Sequence, residues 1–274
     1  MPSQTNKPIV HFIHGNSFPA GTYSVFLRHL RAHYDVRSLE MHGHNPLYPV
    51  TDGWPFLVQE LIDTLAKDYQ QPVILVGHSL GGILAFMAAS LRPDLVRCVV
   101  VLDSPLVAGW RALMLRGSKK LGLDKKFSPA RFSEKRRTLW KDEEEAYQHF
   151  ASKEMFAIWP PEVLRDYVQF GLQAHPGGEG VTLRFTREIE SQIYLTLPHH
   201  LGSIARRGLK VPVGFVGGTE SVECRQAGLE ATKKLVGKHF TKISGGHLIP
   251  MEAPMQTATA VHEMIRSFNL KDLL

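Results

Sequence analysis

The sequence contains only two cysteines among 274 residues, Cys98 and Cys224. Two are too few for a disulfide framework, so we expect both to be plain thiols. Its apolar runs fall well short of the ~20 residues that cross a bilayer, and the first seven residues lack the apolar segment of a secretion signal. From these absences we expect neither a disulfide-stapled secreted domain nor a membrane-spanning protein. We therefore expect a cytoplasmic protein with no membrane partner.

Basic residues outnumber acidic ones and give a net charge of +6, and most of this excess lies in one segment. Residues 105–207 hold 17 Lys plus Arg and 12 Asp plus Glu, which gives 17 − 12 = +5. Blocks of both signs follow one another there, which is typical of solvated helix faces. No nucleic-acid motif accompanies them, so we expect no nucleic-acid partner.

Metal-ligand spacing is also missing, although the chain has 14 histidines. His42 and His44 are two residues apart and His199 and His200 are adjacent, but neither pair comes with the carboxylates or cysteines of a zinc site. The sequence therefore predicts no metal and no cofactor.

One stretch, residues 73–89, does predict chemistry. The apolar run Val73-Ile74-Leu75-Val76 is typical of a strand buried on both faces, and the Ala-, Leu- and Met-rich run after Gly82 favours a helix. Between them lies Gly77-His78-Ser79-Leu80-Gly81, a G-x-S-x-G pattern. Such a pattern between a strand and a helix predicts a sharp turn that presents the serine hydroxyl at the edge of a sheet. Ser79 is therefore the candidate nucleophile.

Strands and helices alternate before and after this turn, which predicts a doubly wound α/β fold with a mostly parallel sheet of about six strands. Residues 105–207 break the rhythm and read as a mostly helical insertion after the fourth predicted strand. We therefore expect a core formed by residues 1–104 and 208–274, covered by a helical cap, or lid, at 105–207. The six strands are predicted at 9–13, 34–39, 73–76, 97–102, 213–216 and 240–243.

A serine hydroxyl needs a base, and the base needs a carboxylate that fixes its tautomer. His247, in the loop after the last predicted strand, is the candidate base. Two acids precede it in the chain order that the motif requires. Glu220 follows strand 213–216 and Asp103 ends strand 97–102. Glu220 is one strand nearer to the histidine, so we favour it and keep Asp103 as the rival.

A developing oxyanion needs preorganised donors. The residue after the nucleophile supplies one, the backbone N–H of Leu80. The loop after the first strand, His14-Gly15-Asn16-Ser17, should supply the other. Asn16 is the first candidate and Ser17 the second, while a structural hydrogen bond is expected for His14.

Together these motifs resemble the α/β-hydrolase fold family in its capped, serine-nucleophile form. The resemblance extends from about residue 9 to residue 268 and includes the His14-Gly15-Asn16 loop, the turn at Ser79, the acid at Glu220 and the loop of Gly246-His247. It implies a catalytic triad, an oxyanion hole and a cap that shapes the substrate pocket.

The resemblance implies a serine hydrolase that cleaves a small carboxylic ester or related acyl compound, its small-molecule partner, through an acyl-enzyme. Perhydrolase or cofactor-free haloperoxidase chemistry, carbon–carbon bond hydrolysis and non-catalytic ligand binding remain alternatives. Either a monomer or a homodimer is expected. Four aromatic residues of the cap are candidate pocket residues, although such residues also serve as packing: Trp110, Phe156, Trp159 and Tyr167.

Overall fold

The computed structural model describes residues 7–120 and 136–270. In that part of the chain the strands are β1 (Ile9–Ile13), β2 (Asp35–Ser38), β3 (Val73–His78), β4 (Val96–Leu102), β5 (Leu139–Trp140), β6 (Leu172–Ala174), β7 (Val181–Leu183), β8 (Val213–Gly218) and β9 (Phe240–Ile243). Six of them form one parallel sheet in the order β2-β1-β3-β4-β8-β9. The doubly wound α/β fold is confirmed, and the ends of its six predicted strands shift by at most two residues.

Helices follow most strands. They are α1 (Ser24–Leu30), α2 (Pro55–Asp68), α3 (Leu80–Leu91), α4 (Gly109–Lys120), α5 (Glu143–Ala151), α6 (Glu154–Ala157), α7 (Pro161–Gly171), α8 (Arg187–Leu195), α9 (Leu201–Arg207), α10 (Val222–Ala227), α11 (Glu230–Val236), α12 (Ile249–Glu252) and α13 (Pro254–Ser267), with short 3-10 turns at Ala20–Tyr23 and Pro93–Leu95.

Two hydrophobic cores lie on the two faces of the main sheet. Side chains of a strand point alternately to opposite faces, so Ile74 and Val76 of β3 pack with helices α1 and α13, whereas Val73 and Leu75 pack with α2 and α3. Because both faces are covered, the strand needs apolar residues at every position. This explains the unbroken apolar run 73–76.

The segment between β4 and β8 is mostly helical in its described residues, but it also contains a small sheet that the sequence analysis did not predict. Strands β5, β7 and β6 pair antiparallel in that order. The predicted insertion also includes residues 121–135, which lie outside the described residues.

Both cysteines, Cys98 and Cys224, are buried free thiols, as expected. Within residues 7–120 and 136–270, no helix combines the length and apolar character needed to cross a bilayer.

Candidate active site

The turn between β3 and α3 holds Ser79 in an unusual backbone conformation, with φ 51° and ψ −115°. Two glycines make room for it. A Cβ at Gly77 would lie 2.2 Å from the carbonyl oxygen of Gly81, and a Cβ at Gly81 would lie 2.1 Å from that of Ile13. Any larger residue would collide with backbone that cannot move aside. The positive φ of Ser79 costs about 1–3 kcal/mol, and the packed strand and helix on either side hold it in place.

His247 reaches Ser79 from the loop that follows β9. Its Nε2 lies 3.0 Å from the Ser79 hydroxyl oxygen. The loop and the turn meet because β3 and β9 are parallel, so both end at the carboxyl edge of the sheet, where doubly wound folds place their sites. The imidazole is 20% exposed, so a ligand at the serine also meets the base.

Asp103 occupies the other side of the His247 ring. It follows β4, has φ 42° and is fully buried. Its Oδ2 lies 2.7 Å from His247 Nδ1 and accepts a hydrogen bond of 2.6 Å from the Ser221 hydroxyl. Its Oδ1 accepts hydrogen bonds from the backbone N–H of Gly218, at 2.7 Å, and from the Cys224 thiol, at 3.2 Å.

The preference for Glu220 over Asp103 is therefore corrected. Glu220 lies on the surface, and the contacts that fix it are those of its backbone, whose N–H donates to the Gly245 carbonyl at 2.9 Å. The His247 loop crosses the end of β8 and reaches the end of β4. The loop can pass this close only because residue 218 is a glycine: a Cβ at Gly218 would lie 2.0 Å from the Gly246 carbonyl oxygen. Nearness to the histidine in strand order was the wrong guide, since β4 lies between β8 and β3, the strand that leads to Ser79.

The electrostatics of the pair favour an ionised Asp103 and a basic His247. Burial would raise the pKa of Asp103, but hydrogen bonds from His247, Ser221 and Gly218 outweigh it and hold the pKa below its usual value. Burial would lower the pKa of His247, but the hydrogen bond to Asp103 and the charge of Glu223 outweigh it and raise the pKa. With Nδ1–H donating to the carboxylate, the Nε2 lone pair faces the Ser79 hydroxyl.

Glu223, which the sequence analysis did not single out, is a second carboxylate near the base. Its Oε2 lies 3.8 Å from His247 Nδ1, and its side chain is 49% exposed. Its position in the first turn of α10, two residues after Ser221, gave no separate signal in the sequence. Among the described residues, Asp103, Glu223 and His247 form the one group of three whose donor atoms lie close enough to hold a metal ion. The absence of a metal requirement stays a prediction.

The histidine pair at the second strand's loop has other partners. His42 Nδ1 lies 2.9 Å from Glu60, and His44 Nε2 accepts a hydrogen bond from the backbone N–H of Thr186. His14 Nε2 accepts a hydrogen bond from the His42 N–H, which is the structural role expected for it.

The two residues predicted to supply oxyanion donors, Asn16 and Leu80, lie near Ser79. Leu80 is the first residue of α3, where an N–H has no acceptor within the helix. Asn16 lies in the loop after β1, and its backbone N–H has no hydrogen-bond acceptor among the described residues. Its side-chain Nδ2 donates to the Glu190 carbonyl at 3.1 Å, which anchors the loop to α8. Asn16 and Leu80 both line the same cavity as Ser79 and His247.

That cavity has a volume of about 590 Å³. Arg111, Tyr194 and Glu223 add polar groups to a wall that is otherwise largely apolar. Residues from the core, from α4 and from α8 contribute to the apolar part, so the insertion takes part in forming the site. Those residues include Trp54, Ile83, Val107, Trp110, Met114 and Ile193.

Of the four predicted pocket aromatics, only Trp110 lines this cavity. Phe156, Trp159 and Tyr167 are at most 5% exposed and form a ring cluster with Phe18. The ring centroids of Phe156 and Trp159 lie 4.7 Å apart, a distance typical of packed aromatic pairs. Their assignment to the pocket is therefore corrected: they are packing residues.

Comparison with known protein families gives a match over most of the chain. A model described as the Alpha/beta hydrolase family matches residues 12–260, which include Asn16, Ser79, Asp103 and His247.

Individual relatives are more distant. Monoglyceride lipase of Mus musculus is 32% identical over 116 residues, which make up 39% of this chain and 37% of that protein. Esterase YbfF of Escherichia coli (strain K12) is 30% identical over 100 residues, 36% of this chain and 39% of that protein. The matches thus span less than two fifths of these curated relatives. Among solved structures, E-2-(acetamidomethylene)succinate hydrolase shares the fold, with a TM-score of 0.73 and 21% identity over 95% of this chain and 92% of that one.

Proposed function

The chain belongs to the alpha/beta hydrolase family, and on that premise we propose that it is a serine hydrolase that cleaves a small carboxylic ester or a related acyl compound through an acyl-enzyme. One observation carries the proposal. Ser79, His247 and Asp103 form a continuous hydrogen-bonded line, with 3.0 Å between the serine oxygen and Nε2 and 2.7 Å between Nδ1 and the carboxylate. This is the arrangement that nucleophilic acyl transfer needs.

In the first half-reaction, the Ser79 oxygen attacks the ester carbonyl carbon while His247 Nε2 takes the hydroxyl proton. Asp103 stabilises the resulting imidazolium through the Nδ1–H hydrogen bond. The carbonyl oxygen becomes negatively charged, and the backbone N–H groups of Asn16 and Leu80 donate to it. The tetrahedral intermediate then collapses: the ester C–O bond breaks, His247 returns its proton to the leaving alcohol, and the acyl group remains on Ser79.

In the second half-reaction, water attacks the acyl carbon and gives its proton to His247. The same two amides hold the oxyanion. Collapse breaks the bond to the Ser79 oxygen, which recovers its proton from His247, and the carboxylic acid departs. The turn at Ser79, with its positive φ, supports both steps, because Ser79 lines the cavity in which the substrate would bind.

The wall of the cavity supports an apolar acyl or alcohol group as the ligand. An ester is favoured over an amide because an alkoxide leaves more readily than an amine anion, and esterase and lipase relatives agree with that choice. Thioesters and lactones fit the same chemistry.

A panel of aryl esters of increasing acyl length tests the proposal on the wild type, Ser79→Ala and a matched control, Ser90→Ala. Ser90 lies exposed on α3, the helix that follows Ser79. We expect Ser79→Ala to lose at least about 10³-fold in kcat and Ser90→Ala to stay within about twofold. A fluorophosphonate probe should label the wild type and Ser90→Ala alone. Ester hydrolysis that survives in Ser79→Ala, or a folded wild type that neither hydrolyses esters nor takes the label, would refute the proposal.

A further inference from the structure

A buried chain of hydrogen bonds runs beneath the candidate active site and joins two of its loops. The backbone N–H of Gly15 donates to the Tyr23 hydroxyl oxygen at 2.9 Å. That hydroxyl lies 2.8 Å from His78 Nδ1, and His78 Nε2 lies 2.9 Å from the backbone carbonyl oxygen of His247. Tyr23 is 1% exposed and His78 is fully buried. We refer to Tyr23 and His78 together as the relay.

The partners of the relay determine where its protons lie. A carbonyl oxygen only accepts, so His78 Nε2 carries the hydrogen that bonds to His247. A neutral imidazole then has a bare Nδ1, so the Tyr23 hydroxyl must donate to it. Burial, reinforced by the nearby His247 imidazole, lowers the pKa of His78 to about 3, which keeps the ring neutral at physiological pH. Burial likewise raises the pKa of Tyr23, which keeps its proton.

The backbone around the relay leaves it little freedom. A Cβ at Gly15 would lie 2.8 Å from His78 Nδ1 and 2.9 Å from the Tyr23 oxygen. The glycine therefore allows the loop to lie directly against both side chains. A buried polar group without a hydrogen-bond partner lowers stability by about 1–3 kcal/mol. Breaking one contact of the relay would leave such a group behind, so the native arrangement of the relay is strongly favoured.

Both ends of the relay lie next to atoms that the reaction uses. Gly15 immediately precedes Asn16, which lines the cavity and whose N–H is the proposed oxyanion donor. At the other end, the carbonyl that accepts from His78 belongs to His247 itself. His78 also immediately precedes Ser79. The two side chains of the relay thus connect the loop of Gly15 and Asn16, the turn at Ser79 and the loop of His247.

We propose that Tyr23 and His78 are positioning residues, which hold the Asn16 amide and the His247 imidazole in register around Ser79. Neither touches the substrate, and the role rests on the proposed function. Acyl transfer is sensitive to such register, because a displacement of about 1 Å can cost about 100-fold in rate. Substrate binding depends on the cavity wall, which the relay does not line. The relay should therefore act on kcat and leave KM nearly unchanged.

The chain offers two matched controls for Tyr23→Phe. Tyr69 and Tyr34 are also largely buried, and their hydroxyls lie 2.7 Å from His11 Nδ1 and 2.9 Å from His262 Nδ1. Each phenylalanine variant deletes one tyrosine–histidine hydrogen bond. Tyr23→Phe also removes the acceptor of the Gly15 N–H, so we expect it to lose the most stability. We expect Tyr23→Phe alone to lower kcat, by about 10- to 100-fold, with KM within about twofold. Equal kcat in the three folded variants, whatever their losses in Tm, would show that the relay is only structural.

A second variant approaches the relay from its other side. Gly15→Ala pushes a methyl group against Tyr23 and His78, and we expect the same fall in kcat as for Tyr23→Phe. A Gly15→Ala protein that folds and keeps wild-type kcat would overturn the proposal.

Imidazole ¹⁵N NMR separates failure of the relay from failure of the proposed function, because it needs no turnover. We expect His78 in the Nε2–H form with no titration from about pH 5 to about pH 8, and Tyr23→Phe should shift the His247 resonances while Tyr34→Phe leaves them in place. A His78 that titrates in this range, or that carries its proton on Nδ1, overturns the relay even if ester hydrolysis is found. A wild type without Ser79-dependent hydrolysis overturns the proposed function, and the NMR result then still decides the relay.

Discussion

Replacement of Asp103 by asparagine is the sharpest perturbation of the hydrogen-bonded line at Ser79. The Asp103 carboxylate accepts four hydrogen bonds, from a backbone amide, a hydroxyl, a thiol and His247, and no part of it is exposed. Asparagine has nearly the same shape but carries one oxygen and one NH₂ group. One of the two positions held by the Asp103 oxygens is therefore occupied by a hydrogen-bond donor in place of an acceptor.

The surrounding donors decide which side that is. The N–H of Gly218 lies 2.7 Å from Oδ1 and cannot be turned into an acceptor. An NH₂ group there would leave two donors face to face, at about 1–3 kcal/mol. The NH₂ group therefore turns toward His247, whose Nδ1 must then be bare. The proton moves to Nε2, and the lone pair that takes the Ser79 proton is lost. A reversed tautomer of this kind costs about 10⁴-fold in rate, or about 5.5 kcal/mol of barrier.

The assay is kcat/KM for the best aryl ester, measured with the thermal midpoint so that loss of fold is not mistaken for loss of chemistry. Glu220→Gln is the matched control, because Glu220 is exposed and the contacts of its backbone are unchanged by the substitution. We expect it to stay within about twofold of the wild type. The assignment of Asp103 fails if folded Asp103→Asn keeps more than about a tenth of the activity, or if Glu220→Gln loses as much as Asp103→Asn.

Two further predictions concern the base and the cavity. Burial lowers the pKa of His247, but the Glu223 charge helps to hold it above its usual value. Glu223→Gln should therefore lower this pKa. More His247 is then neutral at acid pH, so the acid limb of the kcat/KM profile should move to lower pH. An unmoved limb in a pH–rate profile would count against this. Trp110 lines the cavity and is 60% exposed, so Trp110→Ala should change the preferred acyl length with little change in stability. Trp159 is buried, so Trp159→Ala should lower the free energy of unfolding, measured with denaturant, by about 3–5 kcal/mol and leave the preferred acyl length unchanged. The reverse pattern would return Trp159 to the pocket.

The parallel sheet could be predicted from the sequence because burial on both faces leaves a plain signal. Strands such as β3 and β4 have apolar residues at nearly every position. The small sheet of β5, β6 and β7 gave no such signal. Its strands are two or three residues long, and their pairing depends on contacts between distant parts of the chain. Local pattern carries no information about such pairing.

The candidate site was predictable in part, for the same reason. The glycines around Ser79 mark close approaches that only glycine allows, and Gly245, two residues before His247, has a positive φ of 136°. Both Ser79 and His247 could therefore be found from local sequence. The choice between Asp103 and Glu220 depended on the order of strands in space. Two glycines at the end of β8 were the available clue, because a strand end without side chains lets a loop pass over it. The relay has no motif at all, since Tyr23 and His78 meet only in three dimensions.

The insertion leaves the sheet at the end of β4 and returns to it through β8, and these two strands are direct neighbours. The two ends of the insertion are therefore joined by the hydrogen bonds between β4 and β8. The Gly218 N–H, which donates to the Asp103 carboxylate, adds one more. The insertion can therefore be shortened, lengthened or exchanged without breaking the hydrogen bonds between β4 and β8. We therefore expect changes in the insertion to alter the part of the cavity wall that α4 and α8 form, while Ser79, Asp103 and His247 keep their positions at the edge of the sheet.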